Sequence, residues 1–399
     1  MPAYTYLIVG GGMTAAAAIS GIREVDRQGN IGLIGSESHQ PYRRPPLSKT
    51  LWKSDPLDSI WLSTESQGVS AHMGRTVQGL DARTRQVTDD QGTMYTYRKL
   101  LLATGCTPRR LPFGDGQIMY FRTVDDYQRL RGLTGEAKRI AIIGGGFIGS
   151  ELAASLTSTG TQVVLIFPEQ GIGGRMYPPE LATFLNDFYR ERGVELLTAS
   201  TMTTCELRGG RTVLKIHGDP SAGGREMEIA VDGVVAGIGT RPNVALAESA
   251  GLVVDDGIRV DAGLRTSDPS IYAAGDVASV HDASLNEWRR VEHEDSANMM
   301  GGHAGVSMAG HTVFYDHLPF FYSDIFELGY EAVGEVNSRL QMVADWVVPC
   351  REGVIYYLRD SRVRGVLLWN IYGQVDAARR LIAFGEELQP EDLAGRLPA

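Results

Sequence analysis

The feature that constrains this chain most is an apolar run that leads straight into three consecutive glycines and then into a helix-like segment. At the N-terminal end, residues 6–9 are the apolar run, residues 10–12 are the glycines, and a helix is predicted over 15–25. A second apolar run, 31–34, follows. Short apolar runs are typical of buried parallel strands, and glycine permits a tight turn after them. The pattern predicts a strand, a turn and a helix at the start of an α/β domain.

The same arrangement occurs again from Arg139 onward. Residues 140–143 are apolar, residues 144–146 are glycines, and a helix is predicted over 150–158. A strand is predicted at 163–167, and residues 179–192 carry an apolar stripe at helical spacing. The chain therefore contains two copies of one structural pattern, without close similarity between their sequences.

Each residue of the turn has a physical role in binding a dinucleotide. The first glycine lets the chain turn, the second lets a pyrophosphate approach the backbone, and a small residue further on lets the helix pack against the strand. The pyrophosphate then lies at the helix N-terminus, where free N–H groups favour anions. The residues in these roles are Gly10, Gly12 and Ala15 in the first copy and Gly144, Gly146 and Gly149 in the second.

An acidic residue follows the next strand in each copy and can accept hydrogen bonds from an adenosine ribose. These residues are Glu37 and Glu169. One such turn alone is also compatible with a structural glycine-rich turn, but two copies with an acid each favour two dinucleotide sites. Two dinucleotides in one chain indicate an electron relay between a tightly held flavin, FAD, and an exchangeable nicotinamide, NAD(H).

The acid of the second copy bears on the choice between NADH and NADPH. A carboxylate at Glu169 repels a 2′-phosphate and favours NADH. Arg175 lies close in sequence, and an arginine could accept that phosphate or be an ordinary solvated charge. The sequence therefore favours NADH and leaves NADPH open.

Composition excludes several classes of protein. The chain has 399 residues and a formal net charge of −10, which argues against general binding to nucleic acid or anionic membranes. Residues 6–22 carry no charge, but their glycines favour a strand–turn–helix over a signal peptide or a membrane span. The eight histidines show no metal-ligand spacing, so no metal site is predicted. The three cysteines form no CxxC pair, which fits a reducing cytoplasm.

The remainder of the chain is rich in predicted strands. Residues 212–217, 226–236 and 258–260 alternate loosely between apolar and polar positions. From about Tyr322 onward the chain shows strand-like runs at 344–348, 353–359 and 364–369, followed by a predicted helix at 374–384. This last part predicts a third domain, of the α+β class.

Further segments resemble motifs of the FAD-dependent pyridine nucleotide oxidoreductases that include apoptosis-inducing factor and the ferredoxin and rubredoxin reductases of oxygenase systems. They are PYRRPPLSK at 41–49, LATG at 102–105, VAGIGTRPN at 235–243 and IYAAGD at 271–276. Three others resemble apoptosis-inducing factor in particular, namely FPE at 167–169, RVEH at 290–293 and GVIYYLRD at 353–360. The resemblance covers nearly the whole chain. It lacks the eukaryotic targeting segment and a long charged insertion, so we expect a prokaryotic homologue.

The resemblance implies an α/β fold with two Rossmann-like dinucleotide-binding domains of the glutathione reductase type and a C-terminal α+β domain. The FAD domain would be discontinuous, at 1–112 and 240–312, and the NAD domain would occupy 113–239. The C-terminal domain, 313–399, would cover the flavin and support dimerisation, so a homodimer is expected.

The resemblance also implies which residues contact each cofactor. Those expected at FAD are Gly10, Gly12, Thr14, Ala15, Glu37, Arg44, Lys49, Val77, Ala103, Thr104, Gly105, Arg122, Gly275, Asp276, Glu292, His293 and Tyr322. Those expected at NADH are Gly144, Gly146, Phe147, Ile148, Gly149, Glu151, Glu169, Arg175, Gly239 and Glu292. Tyr322 stands near a position where a relative has tryptophan, which implies a smaller aromatic lid over the flavin.

Two of these residues, Lys49 and Glu151, are the catalytic candidates, expected near flavin N5. Hydride transfer between stacked rings needs no nucleophile, so such a pair would set the local charge. Without the family, two separate solvated charges would be the better interpretation, because Lys and Glu are rarely buried. Phe147 could likewise gate the nicotinamide pocket or pack as an ordinary helix residue.

The route by which electrons leave the flavin is constrained by the cysteines. Flavin disulfide reductases need cysteine near residue 45, where this chain has Arg-Arg-Pro-Pro-Leu-Ser. Electrons must therefore pass directly to another protein, a quinone or oxygen. A ferredoxin or rubredoxin would need a basic docking face, for which the candidates are Arg43, Arg109, Arg110, Arg289 and Arg290, unless these are scattered surface charges. The function of another class that stays open is an NADH-sensing protein that dimerises or binds a partner when reduced.

Overall fold

A computed structural model describes residues 1–219 and 224–397, apart from the side chain of Glu65. Its strands, in chain order, are β1 Ala3–Val9, β2 Ile31–Gly35, β3 Val69–Met73, β4 Val77–Asp81, β5 Gln86–Asp89, β6 Met94–Leu102, β7 Cys106–Pro108, β8 Ile118–Tyr120, β9 Arg139–Ile143, β10 Gln162–Ile166, β11 Glu195–Leu197, β12 Thr201–Arg208, β13 Arg211–His217, β14 Glu226–Val231, β15 Gly233–Ala236, β16 Thr240–Pro242, β17 Val254–Asp255, β18 Gly257–Val260, β19 Ile271–Ala273, β20 Ala278–Asp282, β21 Glu287–Arg289, β22 Phe320–Ile325, β23 Leu328–Gly334, β24 Gln341–Val348, β25 Glu352–Arg359 and β26 Arg362–Trp369. The α-helices are α1 Met13–Val25, α2 Val124–Arg131, α3 Phe147–Thr157, α4 Pro179–Glu191, α5 Ala245–Ser249, α6 Glu294–Met308 and α7 Val375–Phe384.

The chain divides into two compact units. The first comprises Met1–Arg44, Asp58–Thr107 and Arg241–Phe321, and the second comprises Pro45–Leu57, Pro108–Thr240 and the residues from Tyr322 onward. Both units contain parallel sheet and helix, so the predicted α/β class is confirmed. The three domains with boundaries at 112, 239 and 312 stay a prediction.

The first unit is built around a sheet in the order β3-β2-β1-β6-β5-β4, with β19 also paired to β6. The strands β3, β2, β1, β6 and β19 run parallel, whereas β5 pairs antiparallel with both β4 and β6. Leu7, Ile8, Leu33 and Leu100 are buried in one hydrophobic core with residues of α1, because parallel strands are covered on both faces. A smaller sheet, in the order β17-β18-β20-β21, belongs to the same unit.

Helices α1 and α6 of this unit approach each other at backbone distance. A Cβ atom on Gly301 would lie 2.4 Å from the Thr14 carbonyl oxygen, and one on Gly305 would lie 2.1 Å from that of Ala18. From the other side, a Cβ atom on Gly21 would lie 2.2 Å from the Gly302 oxygen. Only glycine permits this approach. The sequence pattern did not predict α6, because small residues surround the helix and leave no apolar stripe.

The second unit contains a parallel sheet in the order β11-β10-β9-β15-β8, which α3 covers beside β9 and β10. Ala141, Val164 and Val234 lie in its core together with residues of an antiparallel sheet, β12-β13-β14. Helix α2 begins with a capping box formed by Thr123 and Asp126. The predicted single segment 226–236 is two strands, β14 and β15, which belong to different sheets.

The C-terminal part of this unit is an antiparallel sheet in the order β22-β23-β26-β25-β24. Helix α7 packs on β23 and β26 and ends at Gly385, whose left-handed φ of 58° closes the helix. Tyr356, Tyr357 and Trp369 are fully buried on the central strands β25 and β26. The predicted combination of strands followed by a helix is present.

Candidate functional site

The first glycine turn joins β1 to α1 and leaves the helix N-terminus open. Gly10 has a φ of 116°, and a Cβ atom there would lie 2.0 Å from the Ala103 carbonyl oxygen. A Cβ atom on Gly12 would meet no atom of the described residues within 4 Å, and no side chain caps the helix. The first N–H groups of α1 therefore face open space, as a bound pyrophosphate requires.

Two other segments of the first unit meet this turn. Gly275 has a φ of 74°, and a Cβ atom there would lie 2.2 Å from Oγ1 of Thr14, which accounts for the glycine. Asp276 follows in the same 3₁₀ turn. After β6, Thr104 donates its hydroxyl to the Asn243 carbonyl oxygen at 2.9 Å, and Gly105 adopts a φ of 62°.

The carboxylate of Glu37 is oriented by two donors. Tyr42 donates its hydroxyl to one oxygen at 2.5 Å, and Arg44 donates to the other at 2.5 Å. Burial alone would lower the pKa of Arg44, but Tyr42, Glu37 and Asp276 raise it above its ordinary value. This guanidinium therefore stays charged and holds Glu37 in place. Val77, also expected at FAD, is buried at the start of β4.

Glu292 and His293 lie in the segment before α6. Arg290 donates to Glu292 at 2.5 Å and to the carbonyl oxygen of Asp276 at 3.1 Å, so it links two predicted FAD contacts. The ring of His293 stacks on Phe321 with 4.3 Å between centroids. The first unit thus brings together the predicted contacts from 10–15, 37–44, 103–105 and 275–293.

The second glycine turn repeats this geometry in the second unit. A Cβ atom on Gly144 would lie 2.4 Å from the Gly237 oxygen, and one on Gly149 would lie 1.8 Å from the Gly144 oxygen. A Cβ atom on Gly146 would meet nothing within 4 Å among the described residues, and α3 has no side-chain cap. Phe147, the first residue of α3, is 40% exposed, which leaves it available to a ligand.

All the remaining predicted NADH contacts except Glu292 lie in the same unit. A Cβ atom on Gly237 would lie 3.2 Å from Cβ of Ile148, and Gly239 has a φ of 92°. Arg175 and Glu169 form an ion pair at 2.5 Å, with 84% of the arginine side chain exposed. The arginine is therefore a solvated charge that is nonetheless paired with the acid predicted to select the nucleotide.

Lys49 and Glu151 form a buried ion pair at 2.7 Å, with side chains 9% and 3% exposed. The alternative of two separate solvated charges is wrong. Ser48 donates to one Glu151 oxygen at 2.5 Å and Ser323 donates to the other at 2.6 Å. The carboxylate therefore has a donor on each oxygen besides the ammonium group. The Tyr322 ring lies 5.2 Å from Nζ of Lys49, within reach of a cation–π contact.

The sequence pattern missed Ser48, Ser323 and Tyr42 as residues of the site. Ser48 and Tyr42 stand within the 41–49 motif, so their place beside Lys49 and Arg44 was the available signal. Nothing local marks Ser323, which lies far along the chain from Glu151.

Three of the residues expected at FAD belong to the second unit, namely Lys49, Arg122 and Tyr322. The backbone N–H of Arg122 donates to Asp126 at the start of α2.

The arginines considered as a basic docking face are mostly engaged. Arg289 pairs with Asp282 at 3.2 Å, and Arg290 pairs with Glu292. Arg43 pairs with Glu294 at 3.1 Å. Their positive charge is therefore largely compensated by neighbouring carboxylates.

Cysteine, metal and membrane features complete the survey of the part of the chain that the structure describes. No disulfide joins Cys106, Cys205 and Cys350, and burial raises the pKa of Cys205 and of Cys350. Within residues 1–219 and 224–397, no three His, Cys, Asp or Glu residues are grouped to ligate a metal. None of the described helices is both long and apolar enough to cross a membrane.

Comparison with known proteins gives consistent matches over the whole length. Residues 4–301 match the family model of pyridine nucleotide-disulphide oxidoreductases, and residues 348–384 match that of the C-terminal region of mitochondrion-associated apoptosis-inducing factor. The chain is 34% identical to mitochondrial apoptosis-inducing factor 1 of Dictyostelium discoideum, over 95% of this chain and 78% of that protein. It is 33% identical to the ferredoxin–NAD(+) reductase component of the anthranilate 1,2-dioxygenase system of Burkholderia cepacia, over 99% and 98%.

A solved structure shows the same fold. The chain is similar to one in the crystal structure of the covalent putidaredoxin reductase–putidaredoxin complex, with a TM-score of 0.88 and 28% identity. The match covers 98% of this chain and 95% of the other.

Proposed function

Since this chain belongs to the pyridine nucleotide-disulphide oxidoreductase family and is an FAD-dependent NAD(P)H oxidoreductase, we propose that it oxidises NADH and passes the electrons to a small iron–sulfur protein of the ferredoxin type. The observation that carries the proposal is the pair of open glycine turns, each at an uncapped helix N-terminus. One turn accounts for a resident dinucleotide and the other for an exchanging one.

The first unit fits FAD. The space above Gly12 is free of Cβ contacts, Glu37 is already oriented to accept ribose hydroxyls, and Asp276 follows a glycine that packs on Thr14. We assign FAD binding to these residues together with Arg44, Val77, Thr104, Gly105 and His293. Bound FAD supplies the acceptor for the hydride and the store from which electrons leave.

The second unit fits NADH. Gly146 leaves room for a pyrophosphate at the N-terminus of α3, and Glu169 offers a carboxylate to an adenosine ribose. A 2′-phosphate would bring a further negative charge to that carboxylate, which supports NADH over NADPH. Phe147, exposed at the entrance to the turn, is suited to cover the nicotinamide.

Lys49 and Glu151 are proposed to hold a fixed, dry charge pair at the reacting rings. Their burial and the serine hydroxyls on both carboxylate oxygens support this, because an oriented pair inside low-dielectric surroundings acts more strongly than a solvated one. Neither residue needs to act as a nucleophile. Their task is to keep the local charge constant while hydride is transferred.

The acceptor is the least constrained part of the proposal. The segment at residue 45 has no cysteine, so a dithiol route is absent there and electrons leave the flavin directly. Relatives named as ferredoxin–NAD(+) reductase components match nearly full length, which supports a ferredoxin. Quinones and oxygen are the competing acceptors.

The experiment begins with anaerobic titration of the purified protein with NADH, and the flavin absorbance is recorded after each addition. We expect wild-type protein to be yellow and to lose this colour with one equivalent of NADH. Gly146→Ala should keep the flavin but respond only to far more NADH, whereas Gly12→Ala should lose flavin. Gly302→Ala is the matched control, because a Cβ atom there also meets no atom of the described residues within 4 Å. Protein that stays colourless with excess free FAD would overturn the proposal.

Reoxidation then identifies the acceptor. NADH-driven reduction of cytochrome c should rise strongly when a cognate [2Fe–2S] ferredoxin is added and should rise little with a quinone. If no ferredoxin encoded by the same organism accelerates the reaction, the acceptor assignment is wrong while the oxidoreductase activity stands.

A second candidate is an NADH-sensing redox protein, which the match of residues 348–384 to the apoptosis-inducing factor C-terminal region favours. Slow reoxidation in air together with an NADH-dependent change of mass in gel filtration would support it. Fast turnover at constant mass would exclude it. A homodimer and a cytoplasmic location are part of the proposal, and the same gel-filtration experiment tests the first.

A further inference from the structure

The loop between β10 and α4, residues 167–178, carries both Glu169 and Arg175. It follows the carboxyl end of a parallel strand, the edge at which such sheets bind ligands. The N–H of Gly173 donates to the Gly145 oxygen at 3.0 Å, so the loop is tied directly to the second glycine turn. The N–H of Ala199 donates to the backbone carbonyl oxygen of Glu169 at 2.8 Å. The position of this loop therefore sets the position of Glu169, whose carboxylate is expected to select NADH.

Three consecutive residues of the loop are each held by the C-terminal sheet or the turn within it. The N–H of Ser338 donates to the Arg175 oxygen at 2.9 Å. The hydroxyl of Tyr357, on β25, donates to the Met176 oxygen at 2.9 Å in fully buried surroundings. These bonds fix the loop backbone directly, without help from its exposed side chains.

The third residue, Tyr177, is the aromatic anchor of the loop. Its ring packs edge-on against Tyr330, with centroids 5.8 Å apart, and against Trp369 at 5.6 Å. Burial, and then the proximity of Tyr330, raise the pKa of Tyr177 well above its ordinary range, so its hydroxyl stays protonated. A Cβ atom on Gly173 would lie 2.2 Å from the Tyr177 ring, so the loop backbone at Gly173 packs directly against this ring.

We propose that the C-terminal sheet positions the nucleotide-selecting loop, with Tyr357, Tyr177, Tyr330 and Trp369 as positioning residues that place Glu169 for the NADH ribose. Apart from Glu292, the NADH contacts that the resemblance implies all lie within residues 113–239. The contacts of the loop extend NADH recognition to residues beyond 313 that need not touch the nucleotide. The inference rests on the proposed function, since it takes Glu169 to be the ribose acid.

The test compares neighbouring tyrosines of one strand. Tyr357→Phe removes only the hydroxyl that holds the Met176 oxygen. Tyr356→Phe is the matched control, because its hydroxyl accepts from Leu397 N–H at the C-terminal end instead. Both variants are purified with bound FAD, and the Michaelis constant for NADH and kcat are measured with ferricyanide as acceptor. Hydrogen exchange of residues 168–178 is measured on the same protein without nucleotide.

We expect Tyr357→Phe to raise the KM for NADH about two- to tenfold, the equivalent of one buried hydrogen bond, at unchanged kcat. Exchange in residues 168–178 should rise, and the preference for NADH over NADPH should fall because Glu169 is held less firmly. Tyr356→Phe should match wild-type protein in all three. Tyr177→Leu, which removes the ring that packs on Tyr330 and Trp369, should change the KM and the exchange in the same direction as Tyr357→Phe. It replaces Tyr357→Phe as the test if that variant does not fold.

The outcomes separate the two proposals. If wild-type protein is not reduced by NADH, the proposed function fails, and the exchange measurement still tests whether the sheet holds the loop. If wild-type protein is reduced by NADH but the Tyr357 and Tyr356 variants behave alike, the positioning role is overturned. Faster exchange at an unchanged KM would overturn it as well, because the loop would then be anchored without serving the nucleotide.

Discussion

At the scale of single residues, the buried pair of Lys49 and Glu151 makes the sharpest prediction. Glu151→Gln leaves the ammonium group of Lys49 buried without its counter-charge, and breaking such a pair costs about 3–5 kcal/mol. We expect a marked fall in the thermal unfolding midpoint. Adding Lys49→Met to this variant removes the stranded charge and should restore part of the loss. A double variant no more stable than Glu151→Gln would show that the charge is not desolvated as the structure indicates.

Asp89 gives a prediction about pH. Burial alone would raise its pKa, but hydrogen bonds from Thr93 N–H and Tyr95, a further one from Gln91 N–H, and the charge of Arg75 lower it below 3.8. A lowered pKa means that the carboxylate stabilises the fold above about pH 4 and that this contribution is lost as the pH falls through the lowered value.

The variant that tests this is Asp89→Asn. It should be less stable than wild-type protein at pH 7, and the difference in urea midpoint should stay the same down to about pH 4 and then shrink toward pH 3. An equal difference at both pH values would mean that the charge of Asp89 contributes nothing and that only its hydrogen bonds matter.

At the scale of elements, the contact of α1 with α6 depends on glycine at defined positions. A Cβ atom on Gly301 would lie 2.4 Å from a backbone oxygen of α1, which cannot move without the whole helix. Gly301→Ala should destabilise the protein by about 1–3 kcal/mol, as overpacking does. It should also weaken FAD retention, because α1 begins at the first glycine turn.

The neighbouring glycine supplies the control. Gly302→Ala meets no atom within 4 Å among the described residues and should gain up to about 1 kcal/mol from helix propensity. Thermal midpoints and the flavin content after gel filtration measure both effects. Equal behaviour of the two variants would contradict the close approach of the helices.

The same elements show what sequence could and could not predict. The glycine turns were predictable, because positive φ at Gly10 and Gly144 favours glycine and a pyrophosphate at Gly12 and Gly146 would leave no room for a side chain. Helix α6 was not, since close packing of small residues leaves no periodic signal. Glu151 and Ser323 stand 172 positions apart, so only the folded chain reveals that one orients the other. Residue patterns alone even favoured solvation of the Lys49–Glu151 pair.

At the scale of the whole molecule, the three cysteines predict a reaction without thiols. No disulfide joins Cys106, Cys205 and Cys350, and the segment around residue 45 has no cysteine. Replacing Cys205 and Cys350 by alanine, and Cys106, whose thiol contacts the Asp276 carbonyl oxygen, by serine, should leave NADH-dependent reduction of an external acceptor at the wild-type rate, measured with ferricyanide and with ferredoxin. Loss of turnover in a variant that keeps its flavin would show that a thiol takes part.

The two selecting carboxylates differ in how they are held before any nucleotide arrives. Tyr42 and Arg44, one buried and one largely so, lock Glu37. The partner of Glu169 is an arginine with 84% of its side chain in water. A preorganised carboxylate loses little conformational entropy when it captures its ligand, and this slows escape. A carboxylate that is held only by an exposed arginine releases its ligand readily. The contrast therefore suits a cofactor that stays bound at Glu37 through many turnovers and a nucleotide that is replaced at Glu169 in each turnover.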